Sequence, residues 1–449
     1  MNLKISRILH AGYVFECETT QILFDPIFEN PFSRNCHAFP EIKFDINQIK
    51  NMRPDAVFIS HYHDDHCSME SLNLLDRSTP IYIFCIHEEM LELIGSLGFK
   101  AVYAVQLNES IVIGALQVIP RRALDEDVDC LYHIKGAGLN ILNVVDSWID
   151  HDTLQLLKEN GPWDMVLWPF QTMREIEVLS PSRFAGVNTE FPTEWIDQIK
   201  ELNPRMIVPS SCQFIHESWS WYNQAYFPIS YQKFGQVIKS ALPQTIVVRL
   251  NPGVSVTMTS TDSYMSSPLP WIQTQGNQDL DYKFQESQSV PTTSTVAAKI
   301  SPVGKKECER VYTYCQYELV ERYCTLYIDE DSFFQKPRTW RLNLYDHLGQ
   351  VKEFNYRIQG NLIAPIEKGD YPINWLTEVP VAKVYNALEL GESLTSMYMR
   401  INDTRFDDQT ESDLIDIDLL DDPLVRCLFD GVFGAYQKAQ LKRIKNVLA

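Results

Sequence analysis

A short apolar run, Ala56–Ile59, opens directly into Ser60-His61-Tyr62-His63-Asp64-Asp65-His66. The run suits a buried strand. Imidazole nitrogens and carboxylate oxygens are donors that zinc and iron accept. Alternate residues of an extended backbone point the same way, so His61 and His63 can share one metal. The next turn swings Asp65 and His66 toward a second metal. Two metals a few ångströms apart hold a bridging hydroxide and grip a substrate oxygen. The competing account is a surface loop rich in histidine by accident, and the strand in front of the cluster argues against it.

Strand signals surround the cluster. KISRIL, YVFECE and QILFDP precede it, and Asp25-Pro26 ends the hairpin made by the last two. IYIFCI, SIVIGALQVI, CLYHIK, LNILNVVD, MVLWPF, RMIVPS and TIVVRL follow, with helical spacing over 88–97 and 193–201. Residues 259–304 turn rich in Ser, Thr, Gln and Pro, which is linker composition, although Trp271 and Phe284 imply that parts of it pack. Beyond it, strands are expected in ERVYTYCQYELVERYCTLYID and TWRLNLYD, with RIQGNLIAPI extended. The acidic stretch 403–422 reads as a solvated loop and helix face, and 423–446 as helix. The expected units are therefore 1–258, a metal-binding domain; 259–304, a partly packed linker; and 305–449, a smaller α+β domain.

The chain has 449 residues, 39 basic and 59 acidic, for a net charge of −20. This balance argues against nucleic acid or an anionic membrane as partner. No apolar stretch is long enough to cross a bilayer, and the first residues lack the features of a signal peptide. Ten scattered cysteines fit free thiols in a reducing cytoplasm. A small-molecule substrate is the expected partner. A homo-oligomer or an external reductase stays open.

The histidine cluster, after its βββ start with the Asp-Pro step, resembles the metallo-β-lactamase superfamily over about residues 1–260. That resemblance implies an αββα sandwich with one or two divalent metals at one edge, zinc first and iron as the alternative. It implies His61, His63, Asp65 and His66 as ligands, and Asp146, ending LNILNVVD, as the bridging carboxylate. The third histidine of the first metal is missing from Arg121-Arg122-Ala123-Leu124-Asp125-Glu126-Asp127-Val128-Asp129. Asp125 is the expected substitute and Asp127 the next, with His151 weaker and His133 a packed residue. The last family histidine is replaced by Ser210-Ser211-Cys212, with His216 beyond. His10-Ala11-Gly12 resembles a segment near the metals in the phosphodiesterase- and lactonase-like branches, its imidazole being either beside the metals or a turn residue.

VDCLYHIKGAGLNILNVVDSWID, RMIVPSSCQFIHES and the strand before Asn251-Pro252-Gly253 are similar to the metallo-β-lactamase-like part of the CMP-N-acetylneuraminate hydroxylase family. That family's Rieske cluster needs Cys-x-His and Cys-x-x-His pairs. Here Cys85-Ile86-His87 stands alone, so the electron-input module is missing. Three functions are expected, in this order. The first is hydrolysis of a small ester, amide or phosphoester by metal-activated hydroxide, with Asp65 passing the proton. The second is di-iron oxygenation with an external reductase, which a carboxylate at Asp125 suits because it hardens the first metal. The third is non-catalytic metal binding.

Overall fold

The computed structural model describes all residues except 126, 173–175, 184–188, 224–226, 285–289, 416 and 449. Its apolar runs become two facing sheets. Among the described residues the first has eight strands, in the order Ser263–Ser266, Ser255–Met258, Leu3–Arg7, Tyr13–Cys17, Thr20–Phe24, Ala56–Ile59, Ile81–Ile83 and Val102–Ala104. The second has seven: Ile246–Val247, Met206–Ser210, Met165–Pro169, Leu139–Asn143, Cys130–Gly136, Leu116–Arg122 and Ile111–Ile113. Ala56–Ile59 is apolar at every position because it lies between two parallel neighbours with both faces covered.

Phe15, Phe24, Phe58, Tyr132, Leu167 and Val208 fill the space between the sheets. Each side chain of this size contributes about 1.5–3 kcal/mol on full burial. Outside the first sheet, helix Glu88–Gly95 buries Met90 and Ile94. Outside the second, His151–Glu159, Thr193–Leu202 and Tyr231–Ala241 bury Leu157, Ile199 and Ile238. This is the expected αββα sandwich. Part of 259–304 is built onto it. Ser263–Ser266 extends the first sheet, Ile272–Thr274 pairs with Ile42–Phe44, and Trp271 packs edge-on to Phe28 at 5.6 Å.

A second core organises the C-terminal region around a five-stranded sheet, ordered Leu362–Pro365, Val351–Gln359, Arg338–Tyr345, Trp375–Pro380 and Arg400–Ile401. The strand expected over 309–329 is helix instead over most of its length, running through Lys305–Thr313, Tyr314–Glu318 and Leu319–Tyr323. Val311, Cys315, Leu319 and Tyr323 recur every fourth residue and bury one face. Aromatic and β-branched content suggested a strand, and the period of burial decides otherwise. The tail forms two helices, Pro423–Phe429 and Ala435–Leu448, separated where Gly431 and Gly434 take positive φ. Asp422 departs from the solvated acidic stretch. It is buried, caps Pro423–Phe429, and accepts from Trp375 Nε1 at 2.7 Å. Among the described residues no helix is long and apolar enough to cross a membrane.

Helix Ala435–Leu448 returns to the sandwich and splints the histidine turn. Gln437 Nε2 donates to the carbonyls of Tyr62 at 2.8 Å and Cys67 at 3.0 Å, and Gln440 Oε1 accepts the Met69 N–H at 2.7 Å. Gln437→Ala strips the donor from both carbonyls and is expected to cost about 1–3 kcal/mol. An unchanged urea midpoint would show that the splint is dispensable.

Candidate metal centre

The strand Ala56–Ile59 ends at Ser60, and the cluster turns at once. His66 N–H and Cys67 N–H both return to the His63 carbonyl. Ser68 then caps helix Met69–Leu72 by accepting from Ser71 N–H. His61, His63, Asp65 and His66 are thus gathered within one turn, with the His61 ring 4.5 Å from His63 and 4.0 Å from His66 between centroids.

Asp25 sets the orientation of this turn. It is fully buried at the end of strand Thr20–Phe24. Its Oδ1 accepts the Ser60 N–H at 2.7 Å, and its Oδ2 accepts from Ser60 Oγ at 2.7 Å and from His66 Nδ1 at 3.0 Å. Nδ1 of His66 therefore donates to Asp25 and leaves Nε2 on the cluster side, where Asp146 and Asp65 raise the His66 pKa well above its usual value; a bound metal would take the place of the Nε2 proton. Because the Ser60 hydroxyl proton points to Asp25, its oxygen accepts from His61 Nδ1 at 2.9 Å, and His61 Nε2 is freed in the same way. Burial and the neighbouring His66 and His63 push the His61 pKa well down, so its imidazole is neutral.

Asp146 arrives from the second sheet, beyond Leu139–Asn143. Val145 before it is β-branched and held at φ +62°. Asp25, His10 and Cys212 also take positive φ, at +39°, +51° and +55°. Each such residue costs on the order of 1–3 kcal/mol, and strain of this kind gathers at functional sites. Asp146 Oδ2 lies 2.9 Å from His66 Nε2, while its Oδ1 is buried without a hydrogen bond. Burial opposes ionisation of Asp146, but the His66, His10 and His61 imidazoles override it and hold the carboxyl well below its usual range. Asp65 behaves likewise under His66 and His10.

His10 faces both carboxylates. Its Nδ1 accepts the Cys212 N–H at 2.9 Å, so the neutral ring's proton sits on Nε2. That atom lies 3.1 Å from Asp65 Oδ2 and 3.7 Å from Asp146 Oδ2. One donor atom from each of His10, Asp65, His66 and Asp146 falls within 4.8 Å of the others. Within this set His10 serves as proton-bearing partner to the carboxylates.

Asp125 does not reach the cluster. Its side chain is exposed, as is that of Asp127, while its carbonyl accepts from Val128 and Asp129 N–H. Asp129 stands in the expected place. Its Oδ1 is buried without a hydrogen bond, 3.5 Å from His61 Nδ1, and burial together with Asp146 raises its pKa to about 6. The strand behind it explains the placement. Cys130 Sγ donates to the Ser60 carbonyl at 3.4 Å and Tyr132 Oη to the Ile59 carbonyl at 2.8 Å, tying Asp129 to the edge of the histidine turn.

Other sequence candidates lie apart. His133 is buried against Trp163 and hydrogen-bonds Asn140, and His151 is exposed at a helix start. Arg121 bonds Asn108, and Arg122 pairs with Asp150 at 2.6 Å. Trp148 meets Trp195, Trp221 donates to Val178 O, and Trp219 meets Tyr398. His216 borders the cleft above the cluster, and burial lowers its pKa to about 3. All ten cysteines are free.

The donor chemistry fits a divalent metal. Imidazoles converge with carboxylates, and buried carboxylate oxygens on Asp146 and Asp129 have no protein hydrogen bond.

The profile of the beta-lactamase superfamily domain matches residues 4–211. No curated protein matches the chain. Similar solved structures include Igni18, a metallo hydrolase from Ignicoccus hospitalis, with 18% identity over 57% of this chain and 99% of that one, at a TM-score of 0.39. Isothiocyanate hydrolase from Delia radicum gut bacteria has 13% identity over 59% of this chain and 100% of that one, at 0.38. CmlA, a diiron β-hydroxylase from Streptomyces venezuelae, has 16% identity over 57% of this chain and 54% of that one, at 0.38. The paired sheets carry the histidine turn at their common edge; residues 4–211, which hold that turn, match the beta-lactamase superfamily domain, and the sandwich is metallo-β-lactamase-like.

Proposed function

We propose that this protein is a metal-dependent hydrolase of a small ester, amide or phosphoester. The observation that carries the reading is the pair of part-buried carboxylates, Asp65 and Asp146, converging on Nε2 of His66, whose other ring nitrogen donates to Asp25. His61, His63 and Asp129 would hold one metal, Asp65 and His66 the other, and Asp146 would lie between them. When bound, such cations acidify a water and polarise a carbonyl or phosphoryl oxygen. Asp25 and Ser60 accept from Nδ1 of His66 and His61 and would leave each Nε2 for the metal. Asp65 would carry a proton toward the leaving group, a role supported by His10 Nε2 3.1 Å from its Oδ2. Free thiols throughout support a cytoplasmic setting. The division into 1–258, 259–304 and 305–449 is carried forward as part of this proposal.

One observation favours the second reading, di-iron oxygenation with an external reductase. Asp129 stands beside His61, and a carboxylate there suits iron. Elemental analysis of protein purified without added metal, with an optical spectrum, separates the two. The hydrolase predicts about two zinc per chain, no visible absorbance, and turnover in a screen of lactones, amides and phosphodiesters. About two iron per chain with a ligand-to-metal band would reverse the ranking. Less than half a metal per chain, unchanged in a His61→Ala, His63→Ala variant, would refute the site and leave a non-catalytic role.

A further inference from the structure

We propose that residues 393–395 of the C-terminal unit form the outer wall of the metal cleft and restrict it to a small, uncharged, polar substrate. This rests on the metal reading above.

The cleft over the cluster encloses about 240 Å³. That is below the roughly 300–1,000 Å³ of pockets for drug-sized ligands. Its floor is His63, Asp65 and Asp146, from the sandwich. Its opposite wall is Ser393, Leu394 and Thr395, more than 240 residues later in the chain than Asp146.

The wall is fastened. Glu392, immediately before it, has a side chain only 2% exposed and pairs with Arg34 at 3.0 Å and Lys383 at 3.1 Å. Ser396 Oγ donates to the same carboxylate. Arg34 also donates to the Gly391 carbonyl. Gly391 has φ +64°, and a Cβ there would lie 2.3 Å from the Ala435 carbonyl oxygen, so the chain is held between Arg34 and the last helix. Tyr398 Oη completes the attachment, donating to Glu217 and accepting from Asn35 at 3.2 Å. Backbone this closely held makes a rigid wall, which is what steric selection needs.

Charge narrows the ligand. Among the described residues, no Lys or Arg lines the cleft, and the nearby Arg34 is committed to Glu392. Two divalent cations would only balance Asp64, Asp65, Asp129 and Asp146. An anionic substrate group finds no protein cation. Hydroxyls of Ser33, Ser393 and Thr395 supply neutral hydrogen bonds instead.

The test uses full-length protein loaded with cobalt(II), read by its visible spectrum and titrated with acetohydroxamic acid, 2-naphthohydroxamic acid and inorganic phosphate. Acetohydroxamic acid is expected to shift the spectrum at roughly tenfold lower concentration than either other probe. Leu394→Ala, with Thr395→Ala as the milder second variant, should bring the two hydroxamates within about threefold while leaving the probe-free spectrum unchanged. Equal binding of the hydroxamates by the unaltered protein, an unaltered ratio in both variants, or preferential binding of phosphate overturns the proposal. Failure to bind cobalt at all overturns the metal reading itself, and with it this inference.

Discussion

Asp25→Ala is expected to destabilise the protein by about 3–5 kcal/mol and to lower its metal affinity about 10–100-fold. Three donors converge on this carboxylate: the Ser60 N–H, the Ser60 hydroxyl and His66 Nδ1. All are buried, so none recovers a partner from water. The loss of affinity has a separate cause. Without Asp25, only the Ser60 hydroxyl, 3.4 Å away, faces His66 Nδ1, and the ring is freer to keep its proton on Nε2, where it blocks ligation. Asp25→Asn separates the two effects. It preserves volume but sets an amide NH₂ or a single oxygen against donors, so metal content should fall with a smaller loss of stability. Urea unfolding and elemental analysis on the same samples give both quantities. Normal metal content in both variants would mean that the tautomer is not set by Asp25.

Asp129→Ala is expected to weaken metal binding about 100-fold, while Asp125→Ala changes it by less than about fivefold. The sequence alone favours Asp125 over Asp127 as the replacement for the missing histidine. The structure exposes both and turns Asp129 toward His61. An exposed carboxylate contributes little through solvent. A part-buried one with a buried, unpartnered oxygen beside an imidazole contributes much more once a cation is present. Competition for the metal with a colorimetric chelator, run on Asp125→Ala, Asp127→Ala and Asp129→Ala side by side, decides the order. A larger effect at Asp125 than at Asp129 would contradict the placement of this loop. The two predictions probe different shells of one site, so one can fail without the other.

The sandwich was legible because its signals are local. Strands such as Ala56–Ile59 and Met165–Pro169 are buried on both faces and read as unbroken apolar runs. Histidine spacing on one turn is equally local, and it identified His61, His63, Asp65 and His66 as a group. The segment 309–329 misled because Tyr, Val and Cys suit either a pleated surface or a helix face, and only the core they meet selects the helix.

Other features depended on residues far apart in the chain. Asp129 was hidden because a loop's end point is set by the register of Leu116–Arg122 against Cys130–Gly136, which no spacing rule reveals. His10 acquires its proton-bearing Nε2 from the Cys212 N–H, a partner 202 residues away. The outer wall of the cleft comes from residues 393–395, brought across by the burial of Glu392 between Arg34 and Lys383. The sequence by itself determined the strands, the sandwich and the donor-rich turn, because periodicity and ligand chemistry act over a few residues. Tertiary structure decided which carboxylate completes the site, which nitrogen holds each proton and how large the cleft is, because hydrogen bonds and cavities form between segments whose meeting only the folded chain defines.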